Sequence, residues 1–378
     1  MSKKLKIIQL PTTVGGNPQG ISKHLNLLGV NSKTWTLSRN VFGYLADKVL
    51  LKGNENFLLV ELKKLFALRY LLECNVVFFN FGTGLFTPFV PVNPAGKSAL
   101  KKSAIRVYNA YNTLMAYLEV ALLRIFKVRI FIQYQGDDAR QGDYSKKYFK
   151  ISMAERVDSV YYFDASDEAK RKRIRFYDAV ATKIYALNPD LLHVLPSRAE
   201  FLPYSHVNMA EWPVHYSQLA DRPLRFGHAP SHRAAKGTEV FLEAFEHLKQ
   251  MGYLFELVLI EGKSNAEAKE IYKTVDVVVD QLFSGWYGGL AVEVMALGKP
   301  VVVYLREEDL KFIPAQMMRD MPFFNAQPDN VQDVLKKILE MPRTDLLEIA
   351  KQSRNYVENW HDPLAIAERI KNDMEAVL

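Results

Sequence analysis

The segment from Val275 to Tyr304 constrains the fold more than any other part of this chain. It begins with the largely β-branched run Val275–Val279, which is typical of a parallel strand covered on both faces. A glycine-rich loop follows, and then apolar residues at helical spacing. Gly298 and Pro300 end that helix before a second β-branched run begins. The segment therefore predicts strand, glycine loop, helix and strand, with the helix N-terminus at the carboxyl edge of a parallel sheet.

The start of this predicted helix is suited to an anion, because its free amides and its dipole present positive charge. Gly288 and Gly289 lie at that start. Glu293 lies about one turn further on, and helical side chains lean back toward the N-terminus. We therefore expect a phosphate pocket at the two glycines, with the Glu293 carboxylate beside it to accept hydrogen bonds from sugar hydroxyls.

The segment resembles the donor-binding signature of GT-B glycosyltransferases, in particular the family-four group of retaining enzymes and its bacterial polysaccharide-type members with a Gly-Trp-Tyr-Gly loop. Members usually carry a glutamate, seven residues and a second glutamate. The resemblance implies that Glu293, the second of these, contacts the nucleotide ribose. The first, which touches the donor sugar in the family, falls on Gly285. Trp286 and Tyr287 are expected beside the donor, with a place in the core as the alternative.

A second motif spans residues 226–238, between a predicted strand and an amphipathic helix. Arg binds a diphosphate bidentately and Lys binds it as a point charge. The resemblance assigns donor diphosphate binding and support of the leaving group to Arg233 and Lys236. We also predict donor contacts for His228 and Ser231 in the same loop. From the residues alone, an exposed helix start capped by Thr238 is an equally open interpretation.

No metal is expected in the transfer step. His228 and His232 are four residues apart, but they lie across a proline loop rather than on one helix face, so they do not predict a metal pair. No Asp-x-Asp motif occurs in the chain. We predict no cofactor, with a nucleotide-diphosphate sugar as the co-substrate.

Polar loops in the first half are candidates for further contacts. Gly15 and Gly16 follow the first predicted strand, and in GT-B enzymes a glycine pair here lets the backbone approach the donor; a simple turn is the alternative. Other polar residues follow later strands, at the edge where open α/β sheets bind ligands. A buried Asp–Arg pair that braces the loop is the alternative to an acceptor pocket. The predicted acceptor-binding residues are Asn80, Gln135, Asp138 and Arg140.

Strands and helices alternate in both halves of the chain, which indicates parallel sheets with helices on both faces. The predicted strands are 5–10, 75–80, 129–134, 159–163, 182–187, 224–228, 255–261, 275–280 and 301–305, and the predicted helices include 57–73, 98–126, 238–251, 266–274 and 291–297. By the resemblance, the fold class is α/β of the GT-B type, with two Rossmann-like, doubly wound domains that face each other across a cleft. The predicted domains are an acceptor domain over 1–202, a linker over 203–223, a donor domain over 224–355, and a C-terminal helix over 356–378 that crosses back to the first domain.

Charge is divided unevenly along the 378 residues. Residues 1–195 hold 29 Lys and Arg against 15 Asp and Glu, whereas residues 196–378 hold 20 against 27. Such asymmetry favours an acidic partner for the first half. The segment Lys97–Arg129 mixes basic and aromatic residues at helical spacing, which is typical of a helix at an anionic membrane surface. A helix packed on the sheet with a solvated basic edge is the alternative.

Other features bear on location. Cys74 is the single cysteine, no Asn-x-Ser/Thr site occurs, and the first residues lead into a strand without a hydrophobic signal region. These features predict a cytoplasmic protein that can contact the inner face of the membrane. No nucleic-acid partner is expected, because the basic half lacks a recognisable binding motif.

Taken together, the motifs predict a glycosyltransferase that moves a sugar from a nucleotide-diphosphate sugar to a saccharide or lipid-linked acceptor. The resemblance implies a retaining, metal-independent hexosyltransferase of polysaccharide or glycoconjugate biosynthesis. Two alternatives stay open: a non-catalytic GT-B protein that binds a sugar nucleotide or a partner, and a sugar-nucleotide epimerase.

Overall fold

The computed structural model describes residues 5–39, 43–91, 98–158, 161–217 and 222–378. Backbone contacts divide them into two compact units. The first unit comprises the described residues of Met1–Tyr144, Ser159–His206 and Pro363–Leu378, and the second those of Ser145–Asp158 and Val207–Asp362. The domain limits given above remain a prediction.

Each unit contains one parallel sheet. The strands of the first unit are β1 (Lys6–Leu10), β2 (Asn31–Thr36), β3 (Lys48–Val49), β4 (Val76–Asn80), β5 (Arg129–Tyr134), β6 (Lys183–Ala186) and β7 (Glu200–Phe201). Those of the second are β8 (Leu224–His228), β9 (Phe255–Leu259), β10 (Val277–Val279), β11 (Val301–Val303) and β12 (Phe324–Asn325). Among the described residues, the orders are β3-β2-β1-β4-β5-β6-β7 and β12-β11-β10-β8-β9, with every pairing parallel.

Helices connect these strands. In chain order they are α1 (Asn17–Leu27), α2 (Phe57–Leu71), α3 (Ala99–Ile125), α4 (Gly142–Tyr148), α5 (Asp164–Asp178), α6 (Arg233–Lys236), α7 (Thr238–Gln250), α8 (Asn265–Thr274), α9 (Gly289–Ala296), α10 (Ala315–Arg319), α11 (Val331–Glu340), α12 (Arg343–Trp360) and α13 (Pro363–Glu375). Pro363 begins α13, because a proline lacks the N–H that the first turn of a helix leaves unpaired.

The long apolar strands and amphipathic helices agree with the sequence to within about two residues at their ends. One predicted strand, over 159–163, is wrong for residues 161–163, which form no strand; residues 159 and 160 lie outside the described part of the chain. The two-residue strands β3, β7 and β12 were not predicted, since two residues establish no periodicity.

The core of the first unit lies on both faces of its sheet. One cluster buries Leu10, Phe79 and Ile132 with residues of α2 and α3. The other places Ile7 and Phe78 against α1 and α13. Helix α13, although last in the sequence, is therefore part of the hydrophobic core of the first unit.

The core of the second unit rests on aromatic packing and on the valines of its central strands. The Phe226 ring of β8 lies 5.1 Å from that of Phe245 in α7 and 6.0 Å from that of Phe255 in β9. Strands β10 and β11 are fully buried, as their β-branched runs predict. In the described part of the chain, no helix is long and apolar enough to cross a bilayer.

Candidate functional site

The second unit has a topological switch point between β8 and β10. The chain leaves β8 for β9 on one side, and later leaves β10 for β11 on the other. Open α/β sheets bind ligands outside the carboxyl ends of the strands at such a point. His228 ends β8, while Asp280 and Gln281 follow β10. These ends define the candidate site.

Lys236 joins the two sides of this switch point. Its ammonium donates to Asp280 Oδ1 at 2.9 Å and to Gln281 Oε1 at 2.6 Å. The other Asp280 oxygen accepts the Gly288 amide at 2.8 Å, and Gln281 donates to the Trp286 carbonyl. One half-buried cation therefore lies between the buried Asp280 carboxylate, with which it forms an ion pair, and the glycine loop.

Helix α9 begins in that loop. Gly288 is its N-cap and Gly289 its first residue, so small residues and backbone amides line the approach to Lys236. A Cβ on Gly288 would lie 3.2 Å from the Lys236 Nζ, tighter than most side-chain contacts. Glu293 lies one turn into α9, is buried, and accepts from Asn265 Nδ2 at 2.9 Å. The predicted place of Glu293 on the helix is confirmed; its contact with a ribose stays a prediction.

Arg233 does not lie in this cluster. Its guanidinium is exposed and forms ion pairs with Glu239 at 2.9 Å and Glu261 at 3.1 Å. Ser231 is exposed in the preceding loop. The structure thus brings together Lys236, the glycine loop and the start of α9, but it places the Arg233 charge among carboxylates at the surface.

His228 is buried at the end of β8 and forms hydrogen bonds with β10 and with the start of α7. Its Nδ1 donates to the Val279 carbonyl at 2.8 Å, and its Nε2 lies 2.9 Å from the Thr238 hydroxyl, which can donate to a neutral ring. Burial lowers the pKa of His228, which also favours the neutral form. His232 instead accepts from the Ala235 amide and caps α6. Among the described residues, no group of three His, Cys, Asp or Glu side chains is placed to hold a metal ion.

Trp286 and Tyr287 belong to the core, which favours the alternative given above over direct stacking on a donor. Both are almost fully buried, and their rings stack at 4.3 Å. The Tyr287 hydroxyl forms hydrogen bonds with Tyr356 at 2.9 Å and His361 at 2.8 Å. Tyr287 therefore links the glycine loop to Tyr356 of α12, and Trp286 stacks on Tyr287.

Arg306 explains why position 285 carries no side chain. Gly285 has φ +78°, and a Cβ there would lie 2.5 Å from the Arg306 Cζ. The buried Arg306 donates to Asp309 at 2.9 Å and to the Ile151 carbonyl at 3.0 Å, and lies 3.7 Å above the Phe149 ring. A guanidinium thus fills the space beside the position that carries the first glutamate of the signature.

The residues predicted in the first unit lie at the carboxyl edge of its own sheet. Gly15 and Gly16 form a left-handed turn after β1, with φ of +62° and +69°. Asn80 ends β4 and its Oδ1 accepts from the Thr12 amide and hydroxyl. Gln135 is buried after β5. Their predicted contacts with a donor or acceptor stay predictions.

Asp138 and Arg140 do not form the bracing pair that was one of the two alternatives. Asp138 accepts the Gln135 and Gly136 amides, and burial raises its pKa to about 6. Arg140 instead donates to Asp190 at 2.7 Å and to Asp137 at 3.1 Å. The reason is local geometry: the short loop turns the Asp138 carboxylate back onto its own backbone, away from Arg140.

Sequence reasoning missed Asp280, Gln281, Asn265 and Arg306. The position of Asp280 and Gln281 directly after a buried strand was a usable signal, because strand ends carry the ligands in such sheets. Asn265 and Arg306 gave no signal, since both act through contacts that only the folded chain creates.

In the two units, parallel sheets with flanking helices have the α/β architecture of GT-B proteins. Sucrose-phosphate synthase from Thermosynechococcus elongatus matches 98% of this chain and 99% of its own, with a TM-score of 0.59 and 12% identity. The Anabaena protein HepE in complex with UDP-glucose matches over 98% and 99%, with a TM-score of 0.58 and 11% identity. A glycosyltransferase from Rickettsia africae matches over 99% of both chains, with a TM-score of 0.56 and 12% identity.

These likenesses establish the fold: the chain has the GT-B fold that its sequence predicts. No protein-family model matches the sequence, and no curated protein matches it.

Proposed function

We propose that this protein is a glycosyltransferase that moves a sugar from a nucleotide-diphosphate sugar to a saccharide or lipid-linked acceptor, in polysaccharide or glycoconjugate biosynthesis. The observation that carries the proposal is the Lys236 ammonium, held by Asp280 and Gln281 beside the start of α9 at a switch point. A structural neighbour, HepE, was solved with UDP-glucose and with UDP and glucose. That supports a nucleotide sugar as the donor class.

In this proposal, Lys236 and the amides at Gly288 and Gly289 bind the donor diphosphate. The diphosphate takes the place of the Asp280 and Gln281 oxygens at the Lys236 ammonium. Arg233 adds its charge when it leaves its two surface carboxylates, and Glu293 accepts from the ribose hydroxyls. Such preorganised donors stabilise the charge that develops on the leaving group.

The proposed reaction retains anomeric configuration. The bond between the sugar and the diphosphate oxygen breaks, and a bond forms between the anomeric carbon and the acceptor oxygen on the same face. The acceptor proton passes to an oxygen of the departing diphosphate. Charge neutralisation is assigned to Lys236 and Arg233, so transfer is proposed to need no divalent cation.

Membrane contact is proposed for the face formed by α2 and α3. Exposed apolar residues cover both helices, and the Phe57 ring of α2 lies 5.8 Å from that of Tyr108 in α3, so the two helices adjoin. Lys101, Lys102 and Arg106 lie on α3 among them. Lys97, the first residue of the predicted segment, lies outside the described residues. The exposed apolar residues are Phe57, Leu58, Leu59, Leu62, Leu65, Phe66, Tyr70, Leu100, Val107, Tyr108, Leu114, Tyr117, Leu118 and Ile125.

One observation favours a second candidate, a non-catalytic protein that binds a sugar nucleotide. Gly285 and Arg306 together replace the first carboxylate of the signature with a buried guanidinium. Such a protein would bind the donor but release no nucleoside diphosphate from it.

Release of nucleoside diphosphate tests the proposal. The protein is incubated with UDP-, GDP-, ADP- and dTDP-sugars, with and without a mixed lipid-linked saccharide extract and with EDTA throughout. We expect release from one donor, an increase with acceptor, and a loss of about a hundredfold in Lys236→Ala. Lys249→Ala, an exposed lysine of α7, is the matched control. Binding without release would favour the non-catalytic candidate, and dependence on a metal would contradict the metal-independent step.

A further inference from the structure

Strand β9 forms an open edge of the second unit's sheet. In the described part of the chain it pairs with β8 alone. The Ile260 amide donates to the His228 carbonyl at 2.8 Å, so the backbone groups of the even-numbered residues of this strand face β8. The alternation of a parallel ladder therefore turns the amides and carbonyls of Phe255, Leu257 and Leu259 outward.

The edge carries none of the features that usually prevent strands from pairing. Its sequence, Phe-Glu-Leu-Val-Leu, contains no proline, glycine or lysine, and all five residues are in register with β8. Leu259 is 38% exposed, and Leu257 and Val258 are half-buried. Native proteins usually block an open edge with charges, prolines or bulges. An open apolar edge of this kind is therefore suited to pairing with a further strand.

Helix α7 and β9 form an apolar groove beside this edge. The Phe245 ring of α7 lies 5.1 Å from the Phe226 ring of β8 and 5.1 Å from the Phe255 ring of β9, so α7 lies above both strands. The groove between α7 and β9 has a volume of about 360 Å³. Leu242, Phe245, Phe255 and Leu257 line it, together with charged side chains of α7.

The pattern of the edge is self-complementary. In an antiparallel pair centred on Leu257, Leu257 of one copy meets Leu257 of the other, and Phe255 meets Leu259. Each of these pairs can exchange two backbone hydrogen bonds, and Glu256 then lies opposite Val258. A pair centred on Glu256 would instead place two like charges directly opposite each other, which is unfavourable. Backbone hydrogen bonding and charge therefore favour the same register, the one centred on Leu257.

Two copies joined in this register would also bring their α7 helices together. Neighbouring strands lie about 4.8 Å apart, so helices that lie above β8 and β9 of each copy would be about two strand spacings, or 10 Å, apart. Packed helices have axes about 8–10 Å apart. This second contact matters because a pair of strands alone is only marginally stable in water.

We propose that the second unit binds a second copy of this chain through β9, in a symmetric dimer whose two sheets join into one. Such an interface uses the same surface of both copies. A strand of another protein fits the same backbone groups, but a second copy also brings a second α7 to packing distance. The dimer does not depend on the proposed glycosyltransferase activity, since β9 lies at the side of the sheet and not at the carboxyl ends of its strands.

Charges at position 257 test both the dimer and its register. Leu257→Lys places two ammonium groups opposite each other in the dimer, and Leu257→Glu places two carboxylates there. Each should weaken dimerisation of the full-length protein by about tenfold or more, measured by sedimentation equilibrium. An equimolar mixture of the two variants should restore the dimer, because opposite charges then face each other. Met318→Lys, at an exposed position of α10, is the matched control and should leave dimerisation unchanged.

Hydrogen exchange separates lost pairing from lost folding. The amides of Phe255, Leu257 and Leu259 should exchange more slowly as the protein concentration rises, whereas those of Glu256 and Val258, which face β8, should not change. A variant that keeps its Val258 amide protected has kept its fold. If a position-257 variant loses that protection, Leu259→Lys replaces it and should also weaken the dimer.

Three results would overturn the proposal. A protein that stays monomeric at every concentration would leave the edge to a strand of another protein. A dimer that none of these β9 variants weakens would use a different surface. Folded position-257 variants that stay monomeric after mixing would show that the strands do not pair about Leu257.

Discussion

Gly285 occupies a position that excludes any side chain. Its φ of +78° strains any other residue, and the Arg306 guanidinium fills the space that a side chain would enter. A side chain at this position would therefore displace the Arg306 guanidinium from its present place.

We predict that Gly285→Ala lowers the free energy of unfolding by about 2–4 kcal/mol, from left-handed strain of about 1 kcal/mol and the contact with Arg306. Gly252→Ala is the matched control: Gly252 has φ +91° but no atom within 4 Å of its added Cβ. Gly252→Ala should lower the free energy of unfolding by the backbone strain alone, about 1 kcal/mol. Equal losses of unfolding free energy in the two variants, measured by denaturant unfolding, would show that Arg306 does not exclude a side chain at position 285.

Among single residues, the sequence predicted position better than contact. Glu293 lies one turn into its helix as spacing requires, because helical periodicity is local. His228, Trp286 and Arg233 contact Thr238, Tyr287 and surface carboxylates, respectively, and their contacts with a donor stay predictions. Thr238 lies within the 226–238 motif and Glu239 directly after it, so these contacts depend on the fold of the loop rather than on residues that the motif lacks.

Helix α3 is tied to the loop after β4 by one buried carboxyl. Glu119 accepts the Leu85 amide at 3.0 Å and the Phe86 amide at 3.2 Å, and burial raises the pKa of Glu119 to about 7. The folded state therefore retains this proton over a pH range in which the unfolded chain has lost it.

This difference in bound protons sets the direction in which stability changes with pH. Since the folded state binds the additional proton between about pH 4.5 and 7, the stability contributed by Glu119 falls as pH rises through this window, by roughly 1–3 kcal/mol. Hydrogen exchange of the Leu85 and Phe86 amides, corrected for intrinsic rates, measures it. Glu119→Gln should remove this pH dependence, and the exposed Glu246→Gln should not. Equal pH dependence in all three proteins would contradict the prediction.

Helices and strands with a regular pattern of apolar residues were predicted, whereas polar or short strands were not. Strand β5 and helix α3 match their predictions closely, because apolar runs and helical spacing extend over many residues. Strand β2 has the polar sequence Asn-Ser-Lys-Thr-Trp-Thr. Its position depends on Asp47, whose carboxylate accepts hydrogen bonds from the Thr34 amide and hydroxyl. That contact lies outside the strand itself.

For the chain as a whole, charge and apolar exposure give a prediction about membranes. We expect the protein to float with vesicles that contain phosphatidylglycerol and not with phosphatidylcholine vesicles, and high salt should weaken the contact. Leu62→Glu in α2 and Leu114→Glu in α3 should each reduce binding about tenfold, through lost apolar burial and added negative charge.

Leu254→Glu is the matched control, because Leu254 is at least as exposed but belongs to the second unit. If it reduces flotation as much as the other two substitutions, the contact is not specific to α2 and α3. Undiminished flotation of Leu62→Glu and Leu114→Glu would likewise show that α2 and α3 do not form the membrane contact.

The overall architecture was the most predictable level. Alternating strands and helices indicate parallel sheets, which the structure confirms, whereas the order of the strands was not predicted. The buried polar residues at the carboxyl edge of the first sheet were only partly predictable: Asn80 and Gln135 were named, but Thr13, Asn17, Gln133 and Ser205 come from four separate segments. Their assembly follows from strand register, which no single segment specifies.

The second unit is proposed to bind a nucleotide-diphosphate sugar through Lys236 and Glu293. The most direct measurement is the melting temperature of the purified protein with a panel of nucleoside diphosphates and nucleotide sugars, because a ligand that binds only the folded state raises it. We predict a selective rise of several degrees with one base, lost in Lys236→Ala and Glu293→Ala and retained in Lys249→Ala. A folded protein whose melting temperature no nucleotide raises would contradict the account.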